Sequence, residues 1–400
     1  MTKSDQGQWD CRHFDTTAYR EQIMKERTER HATFFSVVFL QVYRVHGIPE
    51  EDTKLECAAA TCSSGKIRLF SIQELMMCWA TKKRPSSELF SWQAHVGAVY
   101  SLLFLPSERV LVSGGDDGWL RGWQLTDVHV DRNVQSSQNV PSHAPQLLWE
   151  TKIVRVDTLL GGTGLTPGIN CAAANPQSQV VYIGASDGGV HTFDASSGGA
   201  LMHSLPGHVA GVLSIDMEPS SCSLATGSED GTVRVWDCRI RGVAECVSVL
   251  NPWDGVELPL QNPALYLQSV KSPYVSVVRF ASDGAWLLVG TGNSALTLWS
   301  VTLKALAKQQ ALPFVPQAVS MITGGEILVA GSASQLLRYR FSSLSDEAPS
   351  KHALASASVY GMDVHPITGT TLLCGAGGVI ELLSSYGTRI GAIFPTGFDD

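Results

Sequence analysis

Two stretches of the chain copy one another, and this repetition limits the fold more than any other feature. The first is Trp92–Leu125, WQAHVGAVYSLLFLPSERVLVSGGDDGWLRGWQL, and the second is Leu205–Cys238, LPGHVAGVLSIDMEPSSCSLATGSEDGTVRVWDC. In each, a His opens the unit and an alternating apolar segment comes next. A second apolar segment then leads through Asp-Gly into a third that ends on Trp. Alternation with period two predicts strands, so Val233 and Val235 are expected on one face and Thr232 and Arg234 on the other. The pairs Asp117-Gly118 and Asp230-Gly231 fall between such strands. Gly tolerates a positive φ there and Asp bonds its own backbone, which predicts hairpin turns.

Weaker copies fill the rest of the chain, at residues 58–72, 180–194, 286–300, 327–341 and 371–384, giving seven units. At roughly 40–45 residues each, seven such units need about 300 residues. The chain has 400. The remainder is assigned to a charged lead-in over residues 1–30, helical or disordered, and to inserts; the repeat domain is expected over 31–397. Gln41–Glu56 reads as an irregular insert within the first unit. The stretch 126–165 reads as a long loop holding one strand near LLWETKIVRV, and 251–273 as a second projecting loop. Edge strands need a cover. The last unit is therefore expected to be completed either by Arg389–Pro395 or by a strand near Thr33–Val38.

Hydrophobic residues make up 44% of the chain and charged residues 16%, a balance that predicts a packed globular protein. With 29 basic and 37 acidic residues the net charge is −8, which disfavours direct grip on a nucleic-acid backbone. The nine cysteines include no C-x-x-C pair, so neither a zinc site nor a disulfide framework is expected. No apolar run is long enough for a membrane helix, and a reduced intracellular compartment is expected.

With Gly207-His208, Asp230-Gly231 and Trp236-Asp237 in place, the chain resembles the WD-repeat β-propellers. The resemblance implies an all-β fold, a seven-bladed WD-repeat β-propeller with inserted loops and a short N-terminal tail. It also implies a buried hydrogen-bonded set in a blade, made by His95, Ser101, Asp117 and Trp123 in the second unit and by His208, Ser214, Asp230 and Trp236 in the fourth. Ser, His and Asp together suggest a hydrolase triad, but the same spacing in two units suits a structural network that satisfies buried polar groups. Gly184–Gly188 matches G-x-S-x-G around Ser186, yet Val190–Phe193 just after it reads as a strand, whereas a nucleophile elbow needs a helix. Gly161–Gly168 lacks the G-K-[ST] ending of a phosphate loop. No catalytic, cofactor-binding or metal-binding residue is expected, and no enzymatic activity.

Four stretches resemble, more narrowly, the THO complex subunit 6 family of WD-repeat proteins: Ala94–Leu102, Leu205–Glu218, Trp286–Val301 and Val379–Pro395. That resemblance implies a non-enzymatic scaffold of the nuclear THO/TREX complex, which couples transcription and processing to mRNA export. Its partners would be other THO/TREX subunits, with RNA reached only through them and no membrane involved. The location implied is the nucleus, with the cytoplasm second. Leu224–Arg239 also resembles the WDxR box of proteins that dock on the adaptor of cullin-RING ubiquitin ligases, which implies a substrate receptor as the alternative role. There Asp237 and Arg239 would meet the adaptor, Arg239 offering a five-donor fork; the plainer alternative is a local Asp237–Arg239 pair. The basic run Lys82–Arg84 reads either as a nuclear import signal or as a solvated loop.

Overall fold

The computed structural model describes residues 2–3, 9–10, 32–44, 53–81, 88–125, 145–153, 166–258 and 273–394, except 176, 219, 242, 282, 323–324 and 345–347. Seven sheets succeed one another along the chain, over residues 34–93, 99–152, 169–205, 212–258, 275–311, 316–353 and 359–393. Each is a meander of four consecutive antiparallel strands, and the fourth carries a short fifth strand, Val256–Leu258. The first strands of successive sheets touch in a closed cycle, from Phe34–Arg44 round to Val359–Val364 and back. The molecule is therefore a seven-bladed β-propeller, here numbered blades 1–7, with the first strand of each blade on the central channel.

The period-two pattern explains why the sheets stack into a ring. In blade 4, Val233 and Val235 pack with Val275, Leu287 and Trp299 of blade 5, while Leu224 and Trp236 on the opposite face pack with Val180, Tyr182 and Val190 of blade 3. Both faces of a blade are apolar, so neither can be left wet. Among the described residues the buried side chains form seven clusters, each on one seam between neighbouring blades. At about 1.5–3 kcal/mol for each fully buried Val, Leu, Ile or Phe, these seams dominate the stability.

Polar groups lace the inner strands together. Asn170 Nδ2 donates to Val212 O, Ser214 Oγ accepts from Val278 N, and Asp216 accepts from Phe280 N. Arg279 bridges Asp216 on one side and Val319 O on the other. Asp363 of blade 7 accepts from Phe39 N of blade 1, across the seam where the chain's first and last blades meet. Burial pushes the Asp363 carboxyl up, even though that backbone N–H and Arg279 pull the other way.

Every inner strand also carries a bulge near its start. The pairing skips one residue at Tyr100, Asn170, Leu213, Ser276, Gln317 and Tyr360, and two, Phe35 and Ser36, in blade 1. A bulge re-aims the residue it frees. The freed side chains meet around one level of the channel.

Of the two closures expected for the last unit the first holds, the strand expected in the long loop is present, and the reading of one insert changes. Arg389–Ile393 is the outer strand of blade 7, whereas Phe34–Arg44 is the inner strand of blade 1, so no sheet is shared between the two ends of the ring. Gln41–Glu56 is not wholly irregular: strand pairing continues from Gln41↔Glu56 to Arg44↔Thr53 in a lengthened hairpin. The strand expected inside the 126–165 loop is Gln146–Lys152, and it completes blade 2 as its outer strand. The lead-in over 1–30 lies outside the described residues apart from a pairing of Thr2–Lys3 with Trp9–Asp10, as does the basic run at Lys82–Arg84. Most of 126–165 and 251–273 lies outside them too.

In place of a shared sheet, the first-to-last seam is braced by the α-helix Ile72–Thr81, α1, which links the last two strands of blade 1 and lies on the outer strand of blade 7. Ile72 and Leu75 enter the same core cluster as Phe34, Phe70, Leu372 and Ile380. Trp79 lies under the Arg389 guanidinium at 5.8 Å, and Arg389 in turn pairs at 2.6 Å with Glu381, which is fully buried. No helix among the described residues is long and apolar enough to cross a membrane.

If α1 closes the ring, Leu75→Ala should cost about 2–4 kcal/mol in chemical denaturation, the range for a buried leucine. Substituting its half-exposed neighbour Met77 by Ala should leave the midpoint nearly unchanged.

Candidate interaction surface

In blade 2, His95 sits in the turn before the inner strand, Ser113 on the second strand, Asp117 in the Asp-Gly turn and Trp123 on the third strand. His95 Nδ1 lies 2.9 Å from Asp117 Oδ1, His95 Nε2 lies 2.8 Å from Ser113 Oγ, and Trp123 Nε1 donates to Ser113 Oγ at 2.9 Å. Blade 4 repeats the set with His208, Thr226, Asp230 and Trp236 at 2.9, 2.8 and 3.0 Å. An indole N–H only donates. The set closes with no orphan when the hydroxyl accepts from Trp and donates to His Nε2, leaving Nδ1–H to donate to the carboxylate. Gly118 and Gly231 hold φ of +70° and +81°, the left-handed geometry that these turns require.

The hydroxyl member therefore differs from expectation. Ser101 and Ser214 stand on the inner strands, where Ser214 Oγ serves Val278 N of the next blade and Ser101 Oγ reaches Gly114 O only at 3.5 Å. The group that meets His and Trp must sit diagonally opposite the Trp on the second strand: Ser113 is two residues from Leu111, the cross-strand partner of Trp123, and Thr226 is two from Leu224, the partner of Trp236. Blade 5 makes a different bond, Trp299 Nε1 donating at 3.0 Å to Thr297 Oγ1, two residues back on the same strand.

Burial alone would push the Asp230 carboxyl up. Hydrogen bonds and charge from His208, with further bonds from Thr232, outweigh it and hold the group at about 2, below its ordinary 3.8. Asp117 is likewise lowered: burial opposes, and His95, Val96 N and Arg121 win. A carboxylate locked on an imidazole whose other nitrogen binds a buried hydroxyl is a fastener. It presents no nucleophile to solvent.

Other candidate chemistry fails on geometry. Ser186 lies in a turn between the strands Val180–Ala185 and Val190–Asp194, and its Oγ accepts from Gly168 N. Of Gly161–Gly168 only residues 166–168 are described, and they lead into a strand. Burial pushes the thiols of Cys57, Cys171 and Cys238 up to about 12. Among the described residues no group of His, Cys, Asp and Glu is arranged to hold a metal. Arg239 is exposed, and its guanidinium folds back on its own turn, with Nε 2.9 and 2.8 Å from the two Asp237 oxygens and Nη2 also on that carboxylate. That is the local pair, and it leaves the fork facing Asp237.

The family pattern described as WD domain, G-beta repeat matches residues 86–124 and 199–237, the two blades whose polar sets are complete. The chain is a seven-bladed β-propeller, and two of its stretches match the WD repeat. Beyond the repeat, the propeller is similar to THO complex subunit 6 of Arabidopsis thaliana, 26% identical over 95% of this chain and 97% of the relative. The THO complex subunit 6 homolog of Danio rerio is 24% identical over 64% of this chain and 67% of its own length, and the Homo sapiens protein of that name 24% over 66% and 67%. The resemblance read from Trp286–Val301 and its companion stretches thus extends over nearly the whole propeller.

Two stability measurements check the polar sets. Ser113→Ala strands both His95 Nε2 and Trp123 Nε1 and should cost about 2–4 kcal/mol, whereas Ser101→Ala should cost less than about 1 kcal/mol. Because the folded Asp230 is depressed, its contribution is complete above about pH 4 and is lost as pH falls through about 2. At about 1.4 kcal/mol per pKa unit, acid titration of the unfolding free energy should show roughly 2 kcal/mol lost there, and Asp230→Asn should flatten that limb.

Proposed function

We propose that this chain is a non-enzymatic scaffold of a nuclear THO/TREX-type assembly that couples transcription and processing to mRNA export. The observation that carries the reading is the end-to-end alignment with the Arabidopsis thaliana protein: the two chains cover 95% and 97% of each other. The site chemistry agrees, because the Ser-His-Asp constellations are internal fasteners and the described surface holds no assembled catalytic group. In this role the propeller supplies rigid faces to other THO/TREX subunits. Its net charge of −8 leaves RNA contact to those partners.

Affinity purification of the tagged chain from nuclear extract should recover other THO subunits, and the association should survive ribonuclease. Recovery of unrelated cytosolic proteins alone would reject the reading; loss of THO subunits on ribonuclease treatment would reject the direct protein contact.

A further inference from the structure

At the end of blade 4 opposite its Asp-Gly turn, two cysteines face one another. Pairing between the second and third strands, Ser223–Ser228 and Val233–Asp237, runs as far as Ser223↔Asp237. One step further, Cys238 N donates to Cys222 O at 2.8 Å. The same backbone bond closes blades 2, 3, 5 and 6, there joining Leu125 to Arg109, Ala195 to Gln179, Val301 to Ala285 and Phe341 to Gly325. Of these pairs only the one in blade 4 carries sulfur on both sides. Residues directly opposite in an antiparallel ladder have Cα atoms about 4.5–5.5 Å apart. A disulfide needs roughly 4.4–6.8 Å.

Period two places both side chains on the face that carries Leu224 and Trp236. Both pack in the core cluster at the seam with blade 3. Cys238 is buried and Cys222 half-buried. From across the seam, the Tyr182 hydroxyl is hydrogen-bonded to the Cys238 thiol and both sulfurs act on it electrostatically. Asn175 Nδ2 lies 3.8 Å from Cys222 Sγ. Arg239, held chiefly by Asp237, is near enough for its charge to act on Cys222 as well. A guanidinium favours the thiolate, the reactive form of the sulfur. Burial works against the thiolate of Cys238, so Cys222 is the sulfur that meets an oxidant first.

We propose that Cys222 and Cys238 form a redox modification site, which a small peroxide converts to a reversible disulfide across the hairpin. The Cys222 thiolate attacks one oxygen of hydrogen peroxide, the O–O bond breaks, and hydroxide leaves with the thiol's former proton as water. Cys222 is then a sulfenic acid. The Cys238 thiol attacks that sulfur; the S–S bond forms as the S–O bond breaks, and a second water carries off its proton. The two sulfurs have together lost two electrons, and the peroxide has gained them. A dithiol reductant reverses the step by thiol–disulfide exchange. This inference goes beyond the scaffold reading and holds or fails without it.

The test exposes the purified, folded full chain to a small excess of hydrogen peroxide, blocks the remaining thiols with iodoacetamide, and maps all nine cysteines by mass spectrometry. Peptides linked through Cys222 and Cys238 should appear, lighter by two hydrogens, and dithiothreitol should restore both thiols. The link should form at least about tenfold faster than any through Cys246, which is also half-buried and lies beside Arg234 but faces Trp236. In Cys238→Ala, Cys222 should stop at the sulfenic acid and be trapped by dimedone. In Cys222→Ser, at the half-buried position, Cys238 should stay reduced. The unsubstituted chain decides the matter even where a variant fails to fold. Recovery of both cysteines reduced, oxidation of Cys222 to the sulfinic acid with Cys238 untouched, or a link from Cys238 to a different cysteine would each overturn the proposal.

Discussion

Everything in this molecule depends on apolar blade faces having nowhere to go except against the next blade. A twisted four-stranded sheet with Val, Leu, Ile and Ala on both sides is insoluble alone, and stacking it on a single partner leaves the far side wet. Only a closed circuit covers all fourteen faces. Six of the seven seams join blades that are consecutive in the chain. The seventh joins residues near 37 to residues near 372, and here α1, Arg389 and Glu381 do what backbone continuity does elsewhere.

The polar interior arises from the same constraint. Turning the chain tightly at each blade end buries carboxylates and imidazoles that must be satisfied where they stand. Blades 2 and 4 do so with a closed relay from Trp through a hydroxyl to His and Asp. Among the described residues the other blades lack the full set and satisfy their buried polar groups in other ways, as where Asp194 accepts from Ser196 and Ser197 in blade 3. At the inner rim a different device operates: Ser214, Asp216 and Asp363 each cap a backbone N–H of the next blade round the ring. These bonds cross between sheets and fix the rotational register of the ring.

Much of this was legible in the residues. Asp-Gly with its positive φ, the opening His and the closing Trp are local signals, and they located blades 2 and 4 and the phase of their strands. The hydroxyl partner was not legible in the same way. Ser101 and Ser113 both lie on strands of one blade, and choosing between them requires the cross-strand register that sets Ser113 diagonal to Trp123. Ring closure was still less accessible, since nothing in the sequence near Thr33 or Arg389 records which sheet each will join. The channel ring was missed because a bulge leaves no mark in composition; its only trace is that Tyr100, Asn170, Ser276, Gln317 and Tyr360 occupy one position of a repeat otherwise apolar there.

That each sheet draws all its strands from one unbroken stretch of chain has a bearing on how the molecule is made. A nascent polypeptide leaving the ribosome can finish a blade before the next has been translated, and each new blade finds its predecessor already waiting as a template. Assembly then proceeds in the direction of synthesis, with no segment held in reserve for a later exchange. Blade 1 must keep one oily flank and its helix unengaged until the final residues arrive, so the longest exposure to chaperones falls on the earliest part of the protein.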